Sequence, residues 1–171
     1  METFDAITSR RNIREYEDRP LPPEALERIL EAGRRTPSSS NKQRWDFVVV
    51  QNRERLERLS QVWRGAGHIA RAPAAIGIVA PVTDDWKEHG SIQYDLGQAT
   101  MSLMVAAADL GIGTAHASVS DQELAREILE LPEGHALAWL MGLGYPADRP
   151  LKPIKNPSRR PLEEVVHHET W

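Results

Sequence analysis

The chain has 171 residues, 40% of them apolar and 27% charged, which predicts one globular domain with a single sizeable core. A net charge of −4 gives no overall attraction to nucleic acid or to an anionic membrane, so any bound anion has to be met by local arginine or lysine clusters. The absence of cysteine excludes disulfides, iron–sulfur clusters, thiolate zinc sites and a cysteine nucleophile.

In chain order, the opening METFDAITSRR carries acid where a secretory leader needs base and has no apolar stretch. No later segment approaches a membrane span, and the expectation is a cytoplasmic protein. Leu21-Pro22-Pro23-Glu24 opens a helix, because proline is tolerated in the first turn and the acid complements the amide end; Ala25, Leu26, Ile29, Leu30 and Gly33 then share one face. The β-branched run WDFVVV ending at Val50 reads as an interior strand. Asn52 is placed to cap a helix carrying Leu56, Leu59 and Trp63, and AAIGIVA at 74–80 reads as a second interior strand.

The segment 94–111 is apolar nearly all round, with Gly97, Ala99, Ser102 and Ala106–Ala108 among larger side chains. It predicts a buried helix that lets another backbone approach closely, at the centre of the fold or of a subunit interface, with Gly111 ending it. Ser120 to Glu123 has capping-box spacing for a helix to about Leu129, and HALAWLMGLGYP at 135–146 reads as a third interior strand. Beyond Pro146, prolines alternate with basic residues: 147–171 is an extended C-terminal arm whose Leu162, Val165 and Val166 suggest docking. The order predicts one α+β domain over residues 1–171.

Arginine carries the chemical signal. Arg10, Arg11 and Arg14 lie together in SRRNIREY, and Arg159 and Arg160 lie together far downstream. Guanidinium forks suit phosphate oxygens, and the two clusters meet on one phosphate if the arm folds back; two solvated basic patches are the plainer reading. The polar loop TPSSSN, with Gln43 after it, is either an ordinary helix-to-strand turn or a set of hydroxyls and amides suited to a polar heterocycle or polyol chain.

Other chemistries close. GIGTAH and GLGYPA lack the third glycine of a dinucleotide fingerprint, and there is no phosphate-binding GxxxxGK[ST] loop. The six histidines form no metal-ligand spacing, and no Gly-x-Ser-x-Gly supports a serine nucleophile. The five tryptophans read as core or interface anchors, with Trp86 and Trp171 the exposed ones.

In order and spacing, SRRNIREY, TPSSSNKQRWDFVVV, DLGQATMSLMVAAADLGIGT, GLGYP and RRPLEEVVH together resemble the flavin-dependent nitroreductase family over essentially the whole chain. That resemblance implies an α+β fold with a central, mostly antiparallel sheet flanked by helices, in an intertwined homodimer with FMN at the subunit interface. It implies FMN phosphate and ribityl contacts from Arg10, Arg11, Asn12 and Arg14, a C-terminal phosphate-binding pair at Arg159 and Arg160, and close approach of Gly142 and Gly144. The partner subunit's loop covers the flavin with Pro37, Ser38, Ser39, Asn41 and Gln43. A cation at the ring's pyrimidine edge favours reduced flavin, a role this assigns to Arg14. The implied activity is ping-pong hydride transfer from NAD(P)H through FMN to a nitroaromatic, quinone or related small acceptor, with no catalytic side chain. Specialised alternatives on the fold are a metabolite dehydrogenase, a flavin-fragmenting enzyme or a deazaflavin-linked reductase; a non-catalytic flavin-binding module is another. The chain departs from the family at Asn12 (commonly serine), Arg44 (commonly proline) and Ser102 (frequently asparagine). Arg44 either faces an anionic substrate or is a solvent-facing charge.

Overall fold

In the computed structural model, which describes residues 1–171, the elements follow as α1 (Thr3–Ser9), α2 (Pro23–Arg34), β1 (Asp46–Val50), α3 (Arg53–Leu59), β2 (Ala74–Pro81), α4 (Trp86–Asp109), β3 (Gly113–Ala117), α5 (Gln122–Leu129) and β4 (His135–Gly144). The four strands form one sheet in the order β1-β2-β4-β3, every neighbouring pair antiparallel. The α+β class with an antiparallel sheet is therefore as the sequence predicts.

Helices cover both faces of the sheet. On one side Leu26 and Ile29 of α2 and Leu96 and Leu103 of α4 pack on Ile76, Ile78 and Met141. On the other, Leu56 and Leu59 of α3 and Ile128 of α5 pack on Val79, Leu137 and Leu140. Each such side chain contributes about 1.5–3 kcal/mol by leaving water.

The strand at the end of WDFVVV is not interior. β1 forms one edge of the sheet, and Val49 is 37% exposed, because β2 is already paired with β4 on its other side. The strand β3 has no counterpart in the sequence reading: Gly-Thr-Ala-His-Ala has little strand propensity, and its pairing with Leu140–Gly144 creates it.

Two helix starts also differ. α4 begins at Trp86, where Asp85 accepts the amides of Lys87 and Glu88 at 2.8 and 3.3 Å. Its first turns are polar and show no apolar period, which is why the sequence marks only the later part. α5 is capped by Asp121, which accepts the Leu124 amide at 2.9 Å, while Ser120 donates its hydroxyl to the Val62 carbonyl. Asn52 caps α3 as expected, accepting the Arg55 amide at 3.0 Å, and Gly111 follows α4 with φ +73.

α4 is less enclosed than its composition suggests. Tyr94 and Met101 are 70% and 39% exposed, and with Gly97, Ser102 and Val105 they line a groove of about 1010 Å³ shared with Met1, Ala6 and Ile7. Residues 147–171 carry only one short 3-10 turn, Leu162–Glu164. The arm is tied back at its start, where the Ile154 amide donates to the Thr8 carbonyl at 3.2 Å, but Leu162, Val165 and Val166 dock on nothing within the chain. No helix is long and apolar enough to cross a membrane.

Candidate active site

The segment after α1 is laid against the edge of the sheet by backbone bonds. Ile13 donates its amide to the Thr114 carbonyl at 2.9 Å, Asn12 bridges Thr114 in parallel, and Glu17 donates to the Tyr145 carbonyl at 2.9 Å. Ile13 is fully buried, so the residues around it are held on a fixed rail beside β3.

The arm returns to this rail through the Ile154–Thr8 and Arg11–Lys152 bonds, which brings Arg159 towards Arg10. Arg10 is half-buried, and both that burial and the nearby Arg159 lower its pKa from the usual guanidinium range. Neither Arg10 nor Arg159 is ion-paired; Arg159 donates only to the neighbouring Ser158 carbonyl. Like charges gathered without a carboxylate are unfavourable until an anion arrives. Arg11 donates to the Lys152 carbonyl at 2.8 Å, which pins the arm across the same segment. Arg14 is exposed and has no acidic partner. Arg160 differs: it pairs with Glu164 of its own arm at 3.3 Å.

Buried polar atoms without a partner concentrate on this segment, namely Ser9 Oγ, Arg11 Nε, Asn12 Oδ1 and Tyr16 Oη. Such atoms are rare in folded proteins, and a cluster of them fits a polar ligand. Next to Arg10, a cavity of about 350 Å³ is lined by Gln93, Thr100, Met104, His116 and Trp139. His116 meets Trp139 edge-on at 5.9 Å between ring centroids, and its pKa is pushed down by partial burial, then by Arg10 and Arg14.

Tyr16 and His68 pack together against Gly142 of β4, a pairing that sequence reasoning missed. His68 is buried, with Nε2 donating to the Ala115 carbonyl at 3.1 Å, and burial lowers its pKa. Burial drives the Tyr16 phenol above its ordinary range. Tyr16 closes the SRRNIREY motif, but its packing is not legible there, and nothing in the local sequence marks His68; both are placed by contacts distant in the chain.

The predicted glycines are explained by packing. Gly142 and Gly144 are buried in β4, and a Cβ would lie 2.9 Å from Tyr16 Oη at Gly142 and 2.6 Å from Tyr16 Cδ1 at Gly144. The space beside them belongs to Tyr16.

The loop at 36–45 sits elsewhere in this chain, and none of its residues lines the Arg10 cavity. Ser40, Asn41 and Gln43 adopt φ of 53, 55 and 50, a left-handed run without glycine that costs about 1 kcal/mol or more per residue. Ser39 donates its amide and hydroxyl to Asp95, and Ser38 Oγ accepts the Gln43 amide at 2.9 Å. Pro37 leads in to this turn. Arg44 is not a solvent-facing charge: its side chain is 13% exposed and paired with Glu88 at 2.9 Å.

The Nitroreductase family model matches residues 7–92 and 66–145, which includes the arginine rail, the polar loop and all four strands. The chain belongs to the nitroreductase family. A protein of Archaeoglobus fulgidus, provisionally named an NADH dehydrogenase/NAD(P)H nitroreductase, is 33% identical over 174 residues, covering 99% of each chain. The FMN reductase [NAD(P)H] of Bacillus subtilis is 31% identical, covering 99% of this chain and 74% of its own. Among solved structures, an FMN-dependent nitroreductase from Clostridium difficile R20291 superposes with a TM-score of 0.85 at 27% identity, covering 98% of this chain and 99% of that one. The family is one of oxidoreductases, and the fold and its elements agree with that membership.

The site carries its own pH signature. Because His68 has a pKa below the unfolded value of about 6.5, the unfolded chain binds more protons between the two values and stability rises with pH there. The contribution is complete above about pH 6.5 and is lost as pH falls through the folded value, at a slope of at most about 1.4 kcal/mol per pH unit. The groups facing the ring are Arg14 and His116, both of which keep it neutral. Thermal melts from pH 8 to pH 5.5 are expected to show a flatter acid limb for His68→Gln than for the parent; identical slopes count against the assignment.

Proposed function

We propose that this chain is an FMN-dependent NAD(P)H oxidoreductase that reduces nitroaromatic, quinone or related small acceptors by ping-pong hydride transfer. The observation that carries the reading is the convergence of Arg10 and Arg159, neither paired with a carboxylate, beside a cavity and a cluster of unpartnered buried polar atoms. A phosphate dianion relieves the repulsion between these guanidiniums. FMN and NAD(P)H are also the ligands in the names of the relatives described above.

FMN, when bound, supplies the hydride chemistry between NAD(P)H and acceptor, and the protein orients it. Arg10, Arg11 and Arg159 hold its phosphate, with Arg160 able to join only by leaving Glu164. Asn12 would meet the ribityl hydroxyls, and Arg14 would supply the cation that favours reduced flavin. Gly142 and Gly144 act one layer back by admitting Tyr16. NAD(P)H and acceptor take the same cleft in turn, which requires an open face; no side chain is assigned as acid or base.

The groove between α1 and α4 is where a second copy packs, giving an intertwined homodimer in which Pro37, Ser38, Ser39, Asn41 and Gln43 of one chain cover the cofactor of the other. In this reading residues 1–171 are one cytoplasmic FMN-binding domain, and 147–171 is its arm. The test is a visible spectrum of the purified protein, followed by anaerobic addition of NADH or NADPH. About one FMN per chain, bleached by either nucleotide and recoloured by a quinone, is the expected result. Bound flavin that neither nucleotide bleaches favours the non-catalytic module, and protein that takes up no added FMN overturns the cofactor assignment.

A further inference from the structure

Asp95 is the buried charged side chain that the proposed chemistry leaves unused. It is 1% exposed in the middle of α4. A carboxylate so far from water persists only when its oxygens are bonded. Here the Ser39 amide donates to Oδ1 and Oδ2 at 3.0 and 3.1 Å, and the Ser39 hydroxyl donates to Oδ1 at 3.0 Å. Arg44 stands behind, its Nη2 3.7 Å from Oδ2, held in turn by Glu88 and Ser91.

The loop needs such an anchor. With Ser40, Asn41 and Gln43 all left-handed, its conformation survives only where the surroundings over-determine it. The bond from the Gln43 amide to Ser38 Oγ closes the loop on itself, and from residues 37–43 it is the bonds of Ser39 to Asp95 that reach the rest of the fold, beside the tie that Arg44 makes to Glu88 and Ser91. Asp95 points away from the groove, on the buried side of the same helix whose Tyr94, Gly97 and Met101 line it.

We infer that Asp95 is a positioning residue that registers the 37–43 loop to α4, the helix whose other side lines the groove. When two copies pair along that face, the loop of one arrives over the cofactor cleft of the other with its amide and hydroxyls already oriented. The inference rests on the FMN reading for its consequence, while the anchor itself does not depend on it. The charge at residue 95 and the residue at 39 thus act as one unit, although they are 56 positions apart.

The test compares Asp95→Asn with the parent by two readouts. Hydrogen exchange of the 38–43 amides, measured without added flavin, is expected to speed up at least tenfold at Ser39 in the variant. The dissociation constant for FMN is expected to rise at least fivefold, with a changed visible circular dichroism of the bound flavin and unchanged far-ultraviolet signal. Equal exchange in parent and variant overturns the anchor. Faster exchange with FMN affinity and visible spectrum unaltered overturns the positioning role. A parent that takes up no FMN overturns the cofactor reading alone, and the exchange arm still decides the anchor. If Asp95→Asn does not fold, Arg44→Gln removes the charge behind the carboxylate without touching the loop; exchange at Ser39 should then rise at least threefold, and no rise counts against the anchor.

Discussion

Replacing Arg10 with alanine is expected to weaken FMN binding by about 10- to 100-fold while leaving the melting temperature of the flavin-free protein unchanged or slightly raised. The two halves of that result have one cause. Hydrogen bonds to charged groups are worth about 1.5–3 kcal/mol each, so loss of one phosphate contact is a loss of one to two decades. In the flavin-free protein the same guanidinium is desolvated and faces Arg159, which is why its pKa is lowered, so removing it relieves repulsion. A residue kept for stability shows the opposite pattern. Riboflavin is the control, because it has the ring and ribityl chain without the phosphate: its affinity should change by less than about threefold. Arg159→Ala should behave like Arg10→Ala. Arg160→Ala should have little effect, since its guanidinium is already engaged by Glu164. Equal losses of riboflavin and FMN affinity would show that Arg10 holds the ring end instead, and the phosphate clamp would have to be placed elsewhere.

What the sequence made legible follows from how local each signal is. The cap at Asn52, the stop at Gly111 and the buried runs of β2 and β4 are written in adjacent residues, and each is found where those residues place it. The strand β3 is barely written locally; two alanines, a glycine, a histidine and a single threonine become a strand because β4 offers them a ladder. α1 spans only Thr3–Ser9 and has no side-chain cap, so nothing announces it. The arginines were visible as two clusters, but their meeting depends on an arm that returns over the first helix. Arg44 shows the limit most clearly. As a lone charge before a tryptophan it is open to any reading, and its inward role emerges only once Glu88, Ser91 and Asp95 are brought to it from α4. Tyr16 and His68 share this limit, being brought together by Gly142 of β4 and the Ala115 carbonyl of β3.

Substituting Gly113 by alanine is expected to destabilise the protein by about 1–3 kcal/mol and to weaken FMN binding as well, the usual cost of overpacking coupled to a displaced site. A Cβ at this position would lie 2.6 Å from both Cβ and Cγ1 of Ile13, closer than carbon atoms approach. Ile13 has no room to retreat: it is fully buried, and its amide is bonded to the Thr114 carbonyl at 2.9 Å. The strain therefore passes into the backbone of the rail, which carries Asn12 on one side of Ile13 and Arg14 on the other. For a chain of this size the stability loss corresponds to a fall of roughly 2–12 °C in melting temperature. Gly90→Ala, in the first half of α4, supplies the contrast within a single chain, since a Cβ there meets nothing within 4 Å and alanine is the better helix former. Melting curves and FMN titrations on Gly113→Ala separate two ways of building such a site. If stability and affinity fall together, the phosphate-binding arginines are set by the packing of β3 against Ile13, and the edge of the sheet is part of the cofactor site. If stability falls while affinity holds, the arginines adjust independently of the rail, and their geometry is made by the phosphate when it binds.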